Sequence, residues 1–451
     1  MPAPVRLVSS GRAAEHRRTG PPPSDWCHPG GRLNILPEFG QAVVRTGPPG
    51  FSHHVSSFCS DFCYRTSRFV KIIVMGDVLN ITDFLNPVNR YHLSHDEGYL
   101  EGQIGKSIAL YEEDLPDLDA ADVILIGCGE QRGEGSDSYS AGPDVIRSQF
   151  YSLYYWHKDI RIADIGNIKS GAGIADTYAA LRTVVSELLH IGKTVVILGG
   201  SHDITLAQYD AYKVLNHIIE ATVIDGLIDL NMDNPLRSRN FLMEILTGEP
   251  NFIRHYNHIA FQSYFVNPHM LETMDKLRFD CYRLGVVKER MDEMEPVLRN
   301  TNMLSFDIAA LQHAAAPSNY LSPNGLDGEQ ACMLTRYAGM SPNLNSIGVY
   351  GYTVENDIQQ LTAKQIAQML WYFVDGRWQG KHEALLAERD NFFEFNTAFA
   401  EIDTVFLQSK KTGRWWMQLP DKSYIACSYQ DYIQASSNEI PERWLRAQER
   451  S

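Results

Sequence analysis

Long apolar runs are missing from this chain. No stretch approaches the roughly 18–20 consecutive residues that a membrane-crossing helix needs, which argues against a membrane partner. Cysteines are few, seven in 451 residues, too sparse for the disulfide framework of a secreted scaffold. Cys128, Cys281 and Cys332 stand in apolar or helical contexts that suit small core residues, so a reducing, cytoplasmic setting is expected. Basic charge is also short. Lys and Arg number 40 against 55 Asp and Glu, a formal net charge of −15. That balance speaks against general affinity for nucleic-acid phosphates or anionic lipid. What remains is the composition of a folded soluble protein, 44% hydrophobic and 21% charged. The length suits one large domain with appendages, or two domains.

Residues 1–74 lack the periodicity seen in the rest of the chain. They contain "TGPPPSDW", "CHPGGR" and "RTGPPGF", with no sustained helical or strand pattern. They are basic, with 9 Lys and Arg against 4 Asp and Glu, leaving 31 basic and 51 acidic residues for the remainder. The continuous amphipathic helix of an organelle-targeting peptide is absent. Cys59 and Cys63 with His53 and His54 match no paired zinc-knuckle spacing. The segment reads as a disordered extension or a start assigned too early, with Met75 opening the folded domain.

From residue 121 short apolar runs alternate with helical patterns. Strands are predicted at 121–128 ("ADVILIGC"), 160–166, 194–200 ("TVVILGG"), 221–225, 258–264, 281–285, 303–308 and 346–352. Helices are predicted between them, at 142–156, 174–192 and 204–215, and the last at 362–376. Continuous apolar strands alternating with helices predict a parallel sheet covered on both faces. After Gly376 the rhythm changes. "TVFLQSKKTGRWWMQLP" (404–420) reads as a hairpin turning near Lys411-Thr412-Gly413, followed by short helices. Residues 75–376 therefore form the main α/β domain and 377–451 a small hairpin-and-helix appendage. The basic-aromatic "KKTGRWW" is better explained by tryptophans packed on a core than by nucleic-acid stacking.

In an open α/β sheet, ligands gather beyond the carboxyl ends of the strands. Three predicted strand ends carry ligand-type side chains: His202 after "VILGGS", Asp225 and Asp229 in "VIDGLIDL", and Asp307 in "LSFDI". One imidazole and three carboxylates suit Mn²⁺ or a similar divalent ion. Gly199 and Gly200 let the backbone turn sharply, so that the imidazole points across the sheet edge. A structural alternative stands beside this. His202 is equally able to sit in a helix start capped by Ser201 or Asp203, and Asp229 to be a solvated loop acid. Asp225 and Asp307 end apolar strands, where a charge demands a partner, either a metal or a nearby Lys or Arg. "GCGEQRG" (127–133) follows a strand like a dinucleotide fingerprint, but no helix opens directly from its last glycine.

"GGSHDIT", "IDGLIDL", "SFDIAALQHAAAPSN" and "SAGPDVIR" resemble the ordered signatures of the ureohydrolase superfamily, which comprises arginase, agmatinase and formimidoylglutamase. The likeness spans roughly residues 75–376, and "GRWWMQLP" is similar to the tail of a divergent bacterial branch near formimidoylglutamase. The resemblance implies a three-layer α/β/α fold with a parallel sheet. It also implies hydrolysis of C–N bonds in small linear amidine or guanidino substrates, two Mn²⁺ ions around a bridging hydroxide, and homo-oligomers, commonly trimers or hexamers.

Carried over residue by residue, the resemblance assigns His202, Asp225, Asp229 and Asp307 to the first ion. The second ion's additional ligands fall on Leu227 and Ala309, which have no donor atom. Ser201 replaces the acid that precedes the metal-binding histidine, and the carboxylate that receives the substrate's cationic group falls on Gly351, with Glu355 nearby. One Mn²⁺ rather than two is therefore expected. The alternative is an arginase-fold binding or assembly protein that has lost catalysis.

Overall fold

The computed structural model describes residues 80–94 and 98–450. The extension at 1–74, the proposed domain start at Met75, and Cys27, Cys59 and Cys63 lie outside the described residues. Eight parallel strands form the centre: β1 (Val123–Cys128), β2 (Ile162–Ile168), β3 (Thr194–Gly199), β4 (Ile219–Ile224), β5 (Ile253–Phe261), β6 (Asp280–Arg283), β7 (Met303–Asp307) and β8 (Ser346–Tyr350). Their order is β2-β1-β3-β8-β7-β4-β5-β6, every neighbouring pair parallel. Two two-residue strands, Leu85–Asn86 and Ala109–Leu110, extend the sheet beyond β2, the first antiparallel to it.

The alternation of a strand explains the layers. In β1, Val123 and Leu125 enter one core, while Ile124 and Ile126 enter the other on the opposite face. The first core is closed by α1 (Gly142–Tyr151), α4 (Gly328–Met340) and α5 (Leu361–Lys381), the second by α2 (Ile174–His190) and α3 (Thr205–Val214). A sheet buried on both faces needs the unbroken apolar runs seen in the sequence. The expected three-layer α/β/α architecture is therefore present.

Differences from expectation have physical causes. β5 starts five residues before the predicted 258, at Ile253. Its polar residues looked like loop, yet His255 and Asn257 are buried, with His255 Nε2 3.0 Å from Asp280 Oδ2 and Asn257 donating to Thr222. α5 runs on past Gly376 to Lys381, because Gly376 lies where its helix crosses α4 and a side chain would meet the backbone of Arg336. Cys128 and Cys332 are free and buried as expected, and Cys281 is half-buried.

The C-terminal hairpin is the middle of a larger unit. β9 (Phe392–Phe399), β10 (Ile402–Ser409), β11 (Trp415–Gln418) and β12 (Tyr424–Cys427) form a four-stranded antiparallel meander. The predicted pair is in register as Leu407 opposite Trp416. The turn joining β9 to β10 escaped notice because Ala400 and Glu401, with φ of 46° and 66°, make it without glycine or asparagine. Trp415 and Trp416 are both buried. Arg299 and Arg414 lie against the Trp416 ring at 4.5 and 5.5 Å, and Arg299 donates to the carbonyl of Trp415 at 2.7 Å. No helix among the described residues is long and apolar enough to cross a membrane.

Leu198 lies on β3, fully buried, four residues before His202. Leu198→Ala is expected to cost about 2–5 kcal/mol, read as a lower urea midpoint with an unchanged slope.

Candidate metal centre

The sheet's central strands deliver their carboxyl ends to one point. β3 ends at Gly199, and the chain enters a single 3-10 turn at His202–Ile204 before α3. Ser201 is the residue before that turn but does not cap it with its side chain. Its hydroxyl donates to the carbonyl of Glu130 instead, at 3.2 Å. Asp203 is turned away, accepting from Tyr178 and packed under Gly133, where any side chain would strike its carboxylate. That close approach accounts for Gly133 of "GCGEQRG", and the close approach of Asn167 to Gly127 and of the Ser140 carbonyl to Gly129 accounts for the other two, without a phosphate.

His202 is almost wholly buried, and its Nδ1 faces three carboxylates. Asp229 Oδ2 lies at 2.9 Å, Asp307 Oδ2 at 3.2 Å and Asp225 Oδ2 at 3.5 Å. All four sequence-derived residues therefore meet around one nitrogen. His202, Asp225 and Asp307 each offer a ligand atom within 4.8 Å of the others, and Asp229 reaches the same imidazole. Asp225 follows β4 directly and Asp307 closes β7, so backbone geometry aims both. Asp307 spends Oδ1 on the amide of Ala309, at 2.7 Å. Among the described residues neither carboxylate oxygen of Asp225 accepts a hydrogen bond of ordinary geometry, although both are buried and His202 Nδ1 approaches Oδ2 to 3.5 Å.

The opposite ring nitrogen is held too. Nε2 of His202 lies 3.0 Å from Ser305 Oγ, which lies 2.7 Å from Thr205 Oγ1. The edge of Phe241 packs on the ring at 4.8 Å. With Nε2 placed to donate to Ser305, Nδ1 is the nitrogen left to face the carboxylates, as an N–H while the imidazole is charged and as a lone pair toward an ion that would take that proton's place.

Electrostatics agree that this cluster wants a cation. Burial pushes the carboxyls of Asp225 and Asp307 above the ordinary range, Asp225 further because of Asp229; proximity to His202 only partly relieves both. Burial opposes charge on His202, but Asp307, Asp225 and Asp229 together hold its imidazole well above its usual value. Next to them, desolvation drives His258 down to about 4, so it stays neutral, its Nε2 3.3 Å from the backbone carbonyl of Asp225.

Asp307 lies on the wall of a cleft of about 520 Å³, shared with Glu134, Arg239, Ala309, Ser318 and Glu355. The hydroxyl of Ser318 is buried without a partner. Ala309 is buried in the cleft wall and Leu227 is half-buried, so neither position offers a donor atom. Gly351 also lines the cleft, with φ of +80°, and a Cβ there would come within 2.5 Å of Asp307 Oδ1.

Sequence reasoning missed two residues. Ser305 stands two positions before Asp307 on the same strand, and that spacing places both on one face. Arg239 had no comparable signal, because it reaches the cleft from a loop.

The sequence model of the arginase family matches residues 121–375, more than half of the chain. The chain belongs to the arginase family. Its curated relatives include formimidoylglutamase of Staphylococcus haemolyticus, 22% identical over 261 residues, covering 54% of this chain and 82% of that protein. Formimidoylglutamase of Hahella chejuensis is 30% identical over 133 residues, 28% of this chain and 39% of that protein. Formiminoglutamase of Trypanosoma cruzi with Mn²⁺ superposes with a TM-score of 0.52 at 18% identity, over 59% of this chain and 99% of that one. Formimidoylglutamase of Bacillus subtilis gives 0.51 at 17%, over 60% and 94%. At these identities the superpositions show the fold alone.

Gly351→Ala is expected to destabilise the fold by about 1–2 kcal/mol, seen as a lower thermal midpoint, because a side chain there meets both an unfavourable φ and Asp307. Differential scanning calorimetry reads the change.

Proposed function

We propose that this chain is a manganese-dependent hydrolase of linear amidine C–N bonds that works with one ion, held by His202, Asp225, Asp229 and Asp307. The observation that carries the reading is the convergence of three buried carboxylates on His202 Nδ1, with both oxygens of Asp225 lacking hydrogen bonds of ordinary geometry among the described residues. Membership of the arginase family, together with relatives that are formimidoylglutamases and a similar fold solved with Mn²⁺, supports the metal and the class of substrate. The α/β domain proposed for residues 75–376 contains all four residues, and the appendage at 377–451 contributes none.

The donor set fits a hard-to-borderline divalent ion. When bound, such an ion supplies a water whose pKa is lowered toward ~7, the nucleophile that amidine hydrolysis needs near neutral pH. The protein's own residues do the rest. Ser305 and Thr205 fix the imidazole so that Nδ1 is the ligating atom. The amide of Ala309 holds the Asp307 carboxylate in place. Glu355 lines the cleft, as does Glu134, and Glu355 is the acid assigned to receive a cationic amidine end.

Leu227 and Ala309 favour a second reading. With no donor atoms for a second ion, several kcal/mol of barrier lowering are absent, and each ~1.4 kcal/mol is about tenfold in rate. Turnover is then slow, or the chain is a silent arginase-fold binding protein.

Full-length protein stripped with a chelator and titrated with Mn²⁺ tests both readings. The expected result is about one ion per chain by mass spectrometry, with slow formamide release from formimidoylglutamate. One ion without turnover of formimidoylglutamate, agmatine or arginine selects the binding-protein reading. Two ions with brisk turnover overturn the residue assignment. Ser305→Ala is expected to weaken Mn²⁺ binding roughly 10–100-fold by calorimetry while leaving the fold intact. Leu227→His with Ala309→Asp is expected to raise the metal stoichiometry, and an unchanged stoichiometry counts against the assigned second-ion positions.

A further inference from the structure

The charges of the proposed centre do not balance with one divalent ion. Asp225, Asp229 and Asp307 bring three negative charges, and a single Mn²⁺ offsets two. A surplus negative charge inside a buried site is costly, so the structure should contain a positive one. The loop that carries Asp229 also carries Arg239. The amide of Asn231 donates to the carbonyl of Arg239 at 3.0 Å, and the amide of Leu242 donates to the carbonyl of Asp229 at 3.2 Å, closing that loop on itself. Its 3-10 turn, Arg237–Arg239, packs on the His202–Ile204 turn and on the Arg132–Glu134 turn.

Arg239 lines the cleft together with Asp307 and Ala309. Among the described residues it makes no direct ion pair. Desolvation opposes its charge, yet Asp229 first, then Glu134, Asp307 and Asp225, hold its guanidinium above the ordinary value. The cation therefore answers the whole acid cluster rather than one partner.

We infer that Arg239 is a built-in cation that stands in for the second metal ion, neutralising the charge that one Mn²⁺ leaves over. The inference rests on the one-ion reading above. It explains how Leu227 and Ala309 are tolerated: Ala309 removes one carboxylate from the family's ligand set, and Arg239 offsets the surplus that persists. A guanidinium cannot be displaced by dilution or chelation, so the acids retain a counter-charge whether or not Mn²⁺ is bound.

This assigns opposite signs to two measurements. Arg239→Met removes the charge while keeping the length. The metal-free protein is expected to lose a few degrees of thermal midpoint, because three buried acids are left with His202 alone as a counter-charge. The same variant is expected to bind Mn²⁺ roughly three- to tenfold more tightly by calorimetry, because a like charge no longer faces the ion. Arg239→Lys is expected to return both values toward the wild type. The tightening is expected to persist in a Glu134→Gln background, since Asp229, Asp307 and Asp225 remain to be balanced.

If stability and affinity fall together, Arg239 is only a packing residue and the inference fails. It fails equally if neither changes, or if Glu134→Gln abolishes the effect. Wild-type protein that binds no Mn²⁺ overturns the one-ion reading, while a loss of metal-free stability in Arg239→Met would still support the arginine's role. Two ions in the wild type overturn both.

Discussion

The structure is organised around the expense of bringing three carboxylates out of water onto one imidazole. Desolvating a charged group costs several kcal/mol even after relaxation, and like charges in proximity add to it. Nothing in a sheet of Val, Ile and Leu offers compensation, so the compensation has to be local. It consists of the orientation of His202 by Ser305 and Thr205, the amide of Ala309 on Asp307, and the positive charge of Arg239 nearby. These contacts lie at the carboxyl ends of β3, β4 and β7, which run side by side with β8 in the middle of the sheet. The strand order thus brings together residues separated by more than a hundred positions in the chain.

Much of this was legible before any coordinates. Both faces of the central strands are buried, so their apolar runs had to be continuous, and the glycines at 199 and 200 announced where β3 stops. His202, Asp225 and Asp307 follow or close such runs, and a strand end is the one place where a charged side chain can leave a core without crossing it. The meander's outer strands were not legible. β9 alternates phenylalanine with Glu394, Asn396 and Thr397, and the turn after it uses Ala400 and Glu401 in a conformation that composition does not reveal. The early start of β5 was hidden for the opposite reason: His255 and Asn257 are polar but satisfied by Asp280 and Thr222.

Arg239 marks the limit of motif reading. A motif describes residues that share a strand or a short turn, whereas this residue reaches the cleft because its loop folds back on the Asp229 segment. The resemblance likewise drew attention to Leu227 and Ala309 but not to a residue on a separate loop. Gly351 is a related case. Its φ of +80°, and the 2.5 Å that would separate an added Cβ from Asp307 Oδ1, leave no room for a side chain there.

The embrace of Trp416 by Arg299 and Arg414 has a consequence for how the protein comes into being. Arg299 is separated from Trp415, whose carbonyl it holds, by 116 residues. During synthesis the α/β layers precede the meander, so that guanidinium has Glu295 of its own helix as its partner before Trp415 and Trp416 are made. The meander, which follows the α/β layers along the chain, therefore supplies the cover for Arg299 only after those layers have been made.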